Sequence, residues 1–116
     1  MSTYQIRLLE RRARFLERWQ TRLSGTAEAI GLLDTNRARH DALLQINKDF
    51  HQLSGAAGIY ELHTVCSAAM AAEDICIPLL RSGKSASNED IYSLKIFLSS
   101  IVETFAALKT SSGECS

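Results

Sequence analysis

The sequence predicts an all-α fold, an antiparallel up-down-up-down four-helix bundle. Glycine and proline are scarce, six and one in 116 residues, whereas an all-β chain spends many of both on turns. Apolar residues recur at spacings of three and four through four long segments, the mark of one buried stripe per helix. The connections between those segments are short, which places consecutive helices side by side and antiparallel.

The first helix is read over residues 2–31. Ser2 and Gln5 form a capping box. Leu9, Ala13, Leu16, Trp19 (or Gln20), Leu23, Ala27 and Ile30 make the stripe, and Arg7, Arg11, Arg14, Arg18 and Arg22 occupy the opposite face as a solvated row. Asp34-Thr35-Asn36 is a run of capping residues, so a second helix begins near 36 or 37. Its stripe is Leu43, Ile46, Phe50, Leu53 and Ala57, and Gly58 and its successors end or bend it. A third helix covers about 62–82, with Leu62, Val65, Cys66, Ala69, Met70, Ile77 and Leu80 as apolar positions. Pro78 removes a backbone bond to residue 74 and predicts a kink in the last turns. Residues 82–88 are a loop. Ser87 and Asp90 cap a fourth helix over about 88–109, with Ile91, Leu94, Leu98, Ile101, Val102, Phe105 and Leu108 inward. One domain thus spans 1–109, and 110–116 is expected to be a frayed tail.

Composition narrows the function. The chain is 46% hydrophobic and 22% charged, with no net charge, which argues against life on bulk nucleic acid. Charge is nevertheless uneven: residues 1–22 carry six Arg and two Glu, so this segment is +4 and the remainder −4. No apolar run approaching 18 residues is evident, so no membrane span is expected. The first residues lack an apolar h-region, so no signal peptide is expected, and Glu10 and Glu17 interrupt an otherwise transit-like start. Three cysteines, Cys66, Cys76 and Cys115, are odd in number and lack metal spacing. They read as reduced thiols in a cytoplasmic protein, with Cys66 and Cys76 as small core residues.

The informative stretch is Phe50 to Leu62. His51 lies roughly 100° around the helix from the core residue Phe50, at the rim. Lys48, His51, Gly55 and Gly58 follow spacings of three, four and three, so they share a face. A mid-helix Gly costs roughly 1 kcal/mol relative to Ala, and Gly55 therefore invites an explanation. Helical side chains lean towards the N-terminus and cover the preceding turn. Any side chain at 55 would lie over the His51 ring, and Gly55 leaves it open to another protein. Lys48, one turn earlier, can reach an anion on that ring. The plainer alternative is a surface histidine beside a helix-packing glycine. His40 and His63 flank the second helix without ligand-spaced partners, so no metal site is expected. Glu73 and Asp74 read as solvated, and Tyr60 as a helix closer.

His51, Leu53, Ser54, Gly55, Ala56, Ala57, Gly58, Tyr60, Leu62 and Glu73 together resemble the motif of histidine phosphotransfer (HPt) domains of multistep phosphorelays. The resemblance covers the whole bundle, including the helix LERRARFLERWQTRL. It implies that His51 takes a phosphoryl group on Nε2 and exchanges it with an aspartate of a response-regulator receiver domain, fed by a hybrid sensor kinase. It implies that an apolar patch of the receiver domain packs around the histidine, and helical spacing nominates Lys48, Gln52, Ser54, Gly55 and Gly58 as the docking residues, with Arg11 and Arg18 of the basic first helix as an outer rim. The partner supplies Mg²⁺, so the chain needs no cofactor of its own. It is expected to be a monomeric carrier and not an enzyme. That agrees with the lack of a Walker glycine loop or the kinase Asp-Phe-Gly and His-Arg-Asp sets. Gln52 after the histidine, with no proline before 78, separates it from the phosphoacceptor region of sensor kinases. An imidazole titrates at about 6.5, so the neutral nucleophile is present at neutral pH. Two departures stand out: Ser54 where many members have Lys, and Glu61 where many have Gly. The competing class is a helical-bundle adaptor that binds partners without phosphorylation.

Overall fold

The computed structural model describes residues 2–35 and 39–114, with side chains as far as residue 109. It contains α1 (Thr3–Leu32), α2 (Arg39–Ile59), α3 (His63–Ser82) and α4 (Asn88–Glu114), and no strand among the described residues. Each helix packs on the next and α4 closes on α1, so α2 and α4 lie diagonally across the bundle. The expected start of the second helix near 36 or 37, and Asn36 as its cap, fall outside the described residues. Helical backbone in α4 reaches Glu114, into the segment expected as a tail, while Cys115 and Ser116 are not described.

The ends follow local chemistry. Ser2 and Gln5 form the reciprocal capping box of α1, and Ser87 and Asp90 do the same for α4 at 3.0 Å in each direction. Gly83 stops α3 in the left-handed region at φ 72°. Pro78 does not end α3, whose helix runs on to Ser82. The α2–α3 turn is a Schellman motif: the Leu62 amide donates to Ala57 O at 3.0 Å and the Glu61 amide to Gly58 O at 3.2 Å. Glu61 sits at φ 57°, so this chain keeps the left-handed corner although it lacks the glycine.

The stripe of α2 is buried as expected, with Ile46, Phe50, Leu53 and Ala57 fully sealed. That of α1 is corrected. Phe15, Leu16, Trp19, Leu23, Thr26, Ala29 and Ile30 face inward, whereas Leu9, Ala13 and Ala27 are exposed. Two reasons apply. Burying Phe15 removes far more apolar area from water than burying Ala13, which turns the helix. In addition, α1 has 30 residues against 21 in α2 and 20 in α3, so its first turns, all exposed through Arg11, overhang the bundle. Phe15 then anchors the lower core against Tyr60 at 4.8 Å and Phe105 at 6.0 Å. Tyr60 thereby closes the end of α2, as read. Met70 and Val102, expected inside, are about half exposed.

Arg22 also departs from the solvated row. Its guanidinium lies 3.9 Å above the Trp19 ring and donates to Asp49 at 3.4 Å and to Gln52. Asp49, only 4% exposed, accepts further bonds from Thr26 Oγ1 and Gln45 Nε2, each at 2.7 Å. A buried carboxylate is tolerable only when paired in this way, and the cluster joins α1 to α2. Cys76 is sealed between α3 and its neighbours. Burial first, then the charges of Glu73 and Asp90, push its thiol up to about 12, so it stays protonated and inert. Cys66 is only partly buried.

By length and composition, α3 and α4 are each apolar enough to cross a membrane, with mean hydropathy 1.2 and 1.5 over 18-residue windows. That contradicts the expectation that no segment would reach this level. In this fold Val65, Ala69, Leu94, Ile101 and Phe105 turn part of that apolarity into the bundle core, with 28% of the α3 window and 22% of the α4 window buried.

The left-handed corner yields a stability prediction. A non-glycine residue there costs roughly 1–2 kcal/mol, partly offset because glycine gains entropy when unfolded. Glu61→Gly is expected to raise stability by up to about 1 kcal/mol in urea unfolding, and Glu61→Val to lower it.

Candidate functional site

Mid-way along α2, Phe50 and Leu53 are locked into the core with no exposed surface. That fixes the rotation of the helix and holds His51 at the rim, its side chain 75% exposed. The ring is not free to swing. Its Nδ1 lies 3.0 Å from Glu73 Oε2 on α3. The other carboxylate oxygen, Oε1, accepts from Ser54 Oγ at 3.0 Å. Ser54 Oγ can alternatively donate to the carbonyl of His51 at 2.9 Å. The Glu73 side chain is only 13% exposed. It is therefore a positioned group beneath the ring, which corrects the reading of Glu73 as solvated. The mistake has a physical origin: nothing in the α3 pattern tells which neighbour a half-buried polar position faces. Ser54, expected among the docking residues, is partly buried and its hydroxyl braces Glu73.

This geometry selects a tautomer. A carboxylate can only accept, so in the neutral ring the proton resides on Nδ1 and the lone pair on Nε2. The nucleophilic atom then points away from α3 into solvent. The same contact can hold a protonated ring, in which both nitrogens donate.

Around His51 the surface is bare. Gly55 and Gly58 are exposed, and a Cβ added at either would meet nothing within 4 Å. The alternative of a helix-packing glycine at 55 is thereby excluded, since no neighbouring helix approaches it. Lys48 is exposed on the same face and lines a groove with Arg22, Gln45, Asp49 and Gln52 on the α1 side. Gln52 is held there by Arg22. Arg11 and Arg18 border a separate open groove with Arg14, Glu17 and Tyr60, further towards the lower end of α2. Asp49 was not singled out in the sequence, and Arg22 was read only as one of the solvated row. A legible signal existed, because Asp49 is a charged residue at a position of the α2 repeat next to Ile46, Phe50 and Leu53. His40 and His63 are exposed and stand apart from His51.

The sequence matches the family model described as Hpt domain over residues 10–110. The chain belongs to the Hpt domain family. Comparison with curated proteins and with solved structures gave no match. Membership accounts for the four-helix bundle and gives the chain a histidine phosphotransfer role in phosphorelays, in which Hpt domains are phosphocarriers, not kinases, and interact with receiver domains.

The tautomer is directly measurable. In ¹⁵N spectra of the neutral side chain, His51 of this Hpt domain is expected to show a protonated Nδ1 and an unprotonated Nε2. Glu73→Ala is expected to shift the population towards the Nε2–H form. An unchanged tautomer ratio in Glu73→Ala would mean that the carboxylate does not orient the ring.

Proposed function

We propose that His51 Nε2 is the phosphoryl acceptor of this Hpt domain and that it exchanges the group with the aspartyl phosphate of a response-regulator receiver domain. The supporting observation is the pairing of a fixed Nδ1–H with an outward Nε2 on a glycine-bare face. The Nε2 lone pair attacks phosphorus, and an N–P bond forms as the bond from phosphorus to the aspartate oxygen breaks. The aspartate leaves as carboxylate. The ring keeps its proton on Nδ1 and becomes cationic, and Glu73, 3.0 Å away, stabilises that positive charge as it develops. Reversal of the same steps returns the group to a receiver domain.

Phosphoryl transfer rests mainly on positioning and electrostatics. This chain contributes the oriented nucleophile, while Mg²⁺ and the charges around the transferring group come from the receiver. The lysine that many members carry at position 54 is replaced by Ser54. Lys48, exposed on the helix face of His51 one turn earlier, takes over attraction of the phosphate, and Arg22 lines the groove next to Lys48. Gly55 and Gly58 allow the partner's backbone to come close. We place the exchange in the cytoplasm, where Cys66 and Cys76, both free thiols in the fold, stay reduced, with a hybrid sensor kinase upstream.

His51→Gln is expected to abolish labelling by a phosphorylated receiver domain with an unchanged circular-dichroism melt. Label that persists in this variant, or moves to His40 or His63, overturns the assignment. For Gly55→Gln the two properties are expected to separate. Stability stays level or rises by up to roughly 1 kcal/mol, because a Cβ there meets open space, while transfer slows at least about tenfold as the new side chain covers the ring. A lower melting temperature with normal transfer would contradict the role given to Gly55.

A further inference from the structure

The face of α4 that points away from the bundle carries a pattern that the core does not use. The window within Asn88–Lys109 has mean hydropathy 1.5, yet only 22% of it is buried. Tyr92, Ile96 and Val102 are 65%, 47% and 48% exposed. They lie with Lys95, Ser99 and Glu103 along the outer side of the helix, and Tyr92, Ile96 and Ser99 border a shallow groove there.

The order of these residues is symmetric about Ser99. Four positions before it stands Lys95, and four after it Glu103. Three before it stands Ile96, and three after it Val102. Seven before it is the large Tyr92, and seven after it the small Ala106. In an antiparallel pair of identical helices related by a two-fold axis at Ser99, residues equally far before and after the axis share a layer. Every layer then matches: cation with anion, aliphatic with aliphatic, large with small. A serine at the crossing point lets the backbones approach. Such self-complementarity is what an isologous interface requires, and an unrelated partner has no need of it.

From this pattern we infer that α4 is a homodimerisation surface, occupied by α4 of a second copy of this chain in antiparallel register about Ser99. This departs from the monomer expected from the sequence, and it is independent of the role given to His51. No contact joins α2 to α4 among the described residues, so the two histidines of the pair face outward on opposite sides. The assembly is a bivalent carrier that presents two acceptor faces at once. Lys95 already makes a loose 3.6 Å pair with Asp34, both about half exposed. Exposed pairs of this kind contribute little, so Lys95 remains available to a second anion. A single helix face of this length makes a small interface of the transient class, and the association is correspondingly concentration-dependent.

The test is sedimentation velocity of the full chain from about 10 μM to about 1 mM, the range in which small interfaces associate. Wild type is expected to shift from monomer to dimer. Lys95→Glu and Glu103→Lys each place two like-charged layers in the homodimer and are expected to weaken it at least about tenfold. Mixing the two variants restores opposite charges in both layers, so the mixture is expected to recover the wild-type dimer. Both sites are exposed, and circular-dichroism melts establish that the variants fold. A wild type that stays monomeric throughout overturns the inference. So does a dimer that either variant leaves intact, or a mixture that fails to reassociate.

Discussion

The hydrogen bond between His51 Nδ1 and Glu73 Oε2, 3.0 Å long, ties the chemistry of this domain to its architecture. It crosses from α2 to α3, so it exists only if the two helices keep one register. That register is set by the turn between them, where Glu61 adopts a left-handed conformation and the amides of Glu61 and Leu62 close the end of α2. From there Leu62 and Val65 enter the core and α3 climbs back beside the histidine, bringing Glu73 level with it. A slip of one residue in α3 would rotate Glu73 by roughly 100°, and the ring would lose its tautomeric preference.

The opposite side of α2 is held by different means. Asp49 gathers Thr26, Gln45 and Arg22, and Arg22 lies over Trp19. A buried carboxylate adds little net stability compared with an apolar side chain, but it has few satisfactory geometries. Its cluster therefore limits how α2 can rotate against α1. Between the two polar anchors, Phe50 and Leu53 fill the core. The histidine is placed by the sum of these constraints.

The outer surfaces divide the work. The His51 face is stripped of side chains by Gly55 and Gly58, which suits a partner whose reacting group must approach within bonding distance. The far face, on α4, is apolar and charge-matched to itself. Because α2 and α4 are diagonal, use of one face leaves the other open.

Much of this was legible without coordinates. Capping boxes at Ser2 and Ser87 and the α2 stripe are local or periodic properties, and the starts of α1 and α4 and the core face of α2 followed from them. His51 at the rim with Gly55 beside it depended only on helical spacing, so the exposed ring and its bare surroundings could be read from a few residues. Tertiary structure alone decided which polar residues meet. Glu73 lies 22 positions from His51, and Asp49 lies 23 from Thr26; whether such residues touch depends on inter-helical register, which no periodicity within one helix encodes. The inward face of α1 was decided in the same way, since competition between Phe15 and Ala13 for the core is settled by what stands opposite, Tyr60 and Phe105. Spacing along one helix fixes which residues share a face, but the packing of the other helices determines what that face meets.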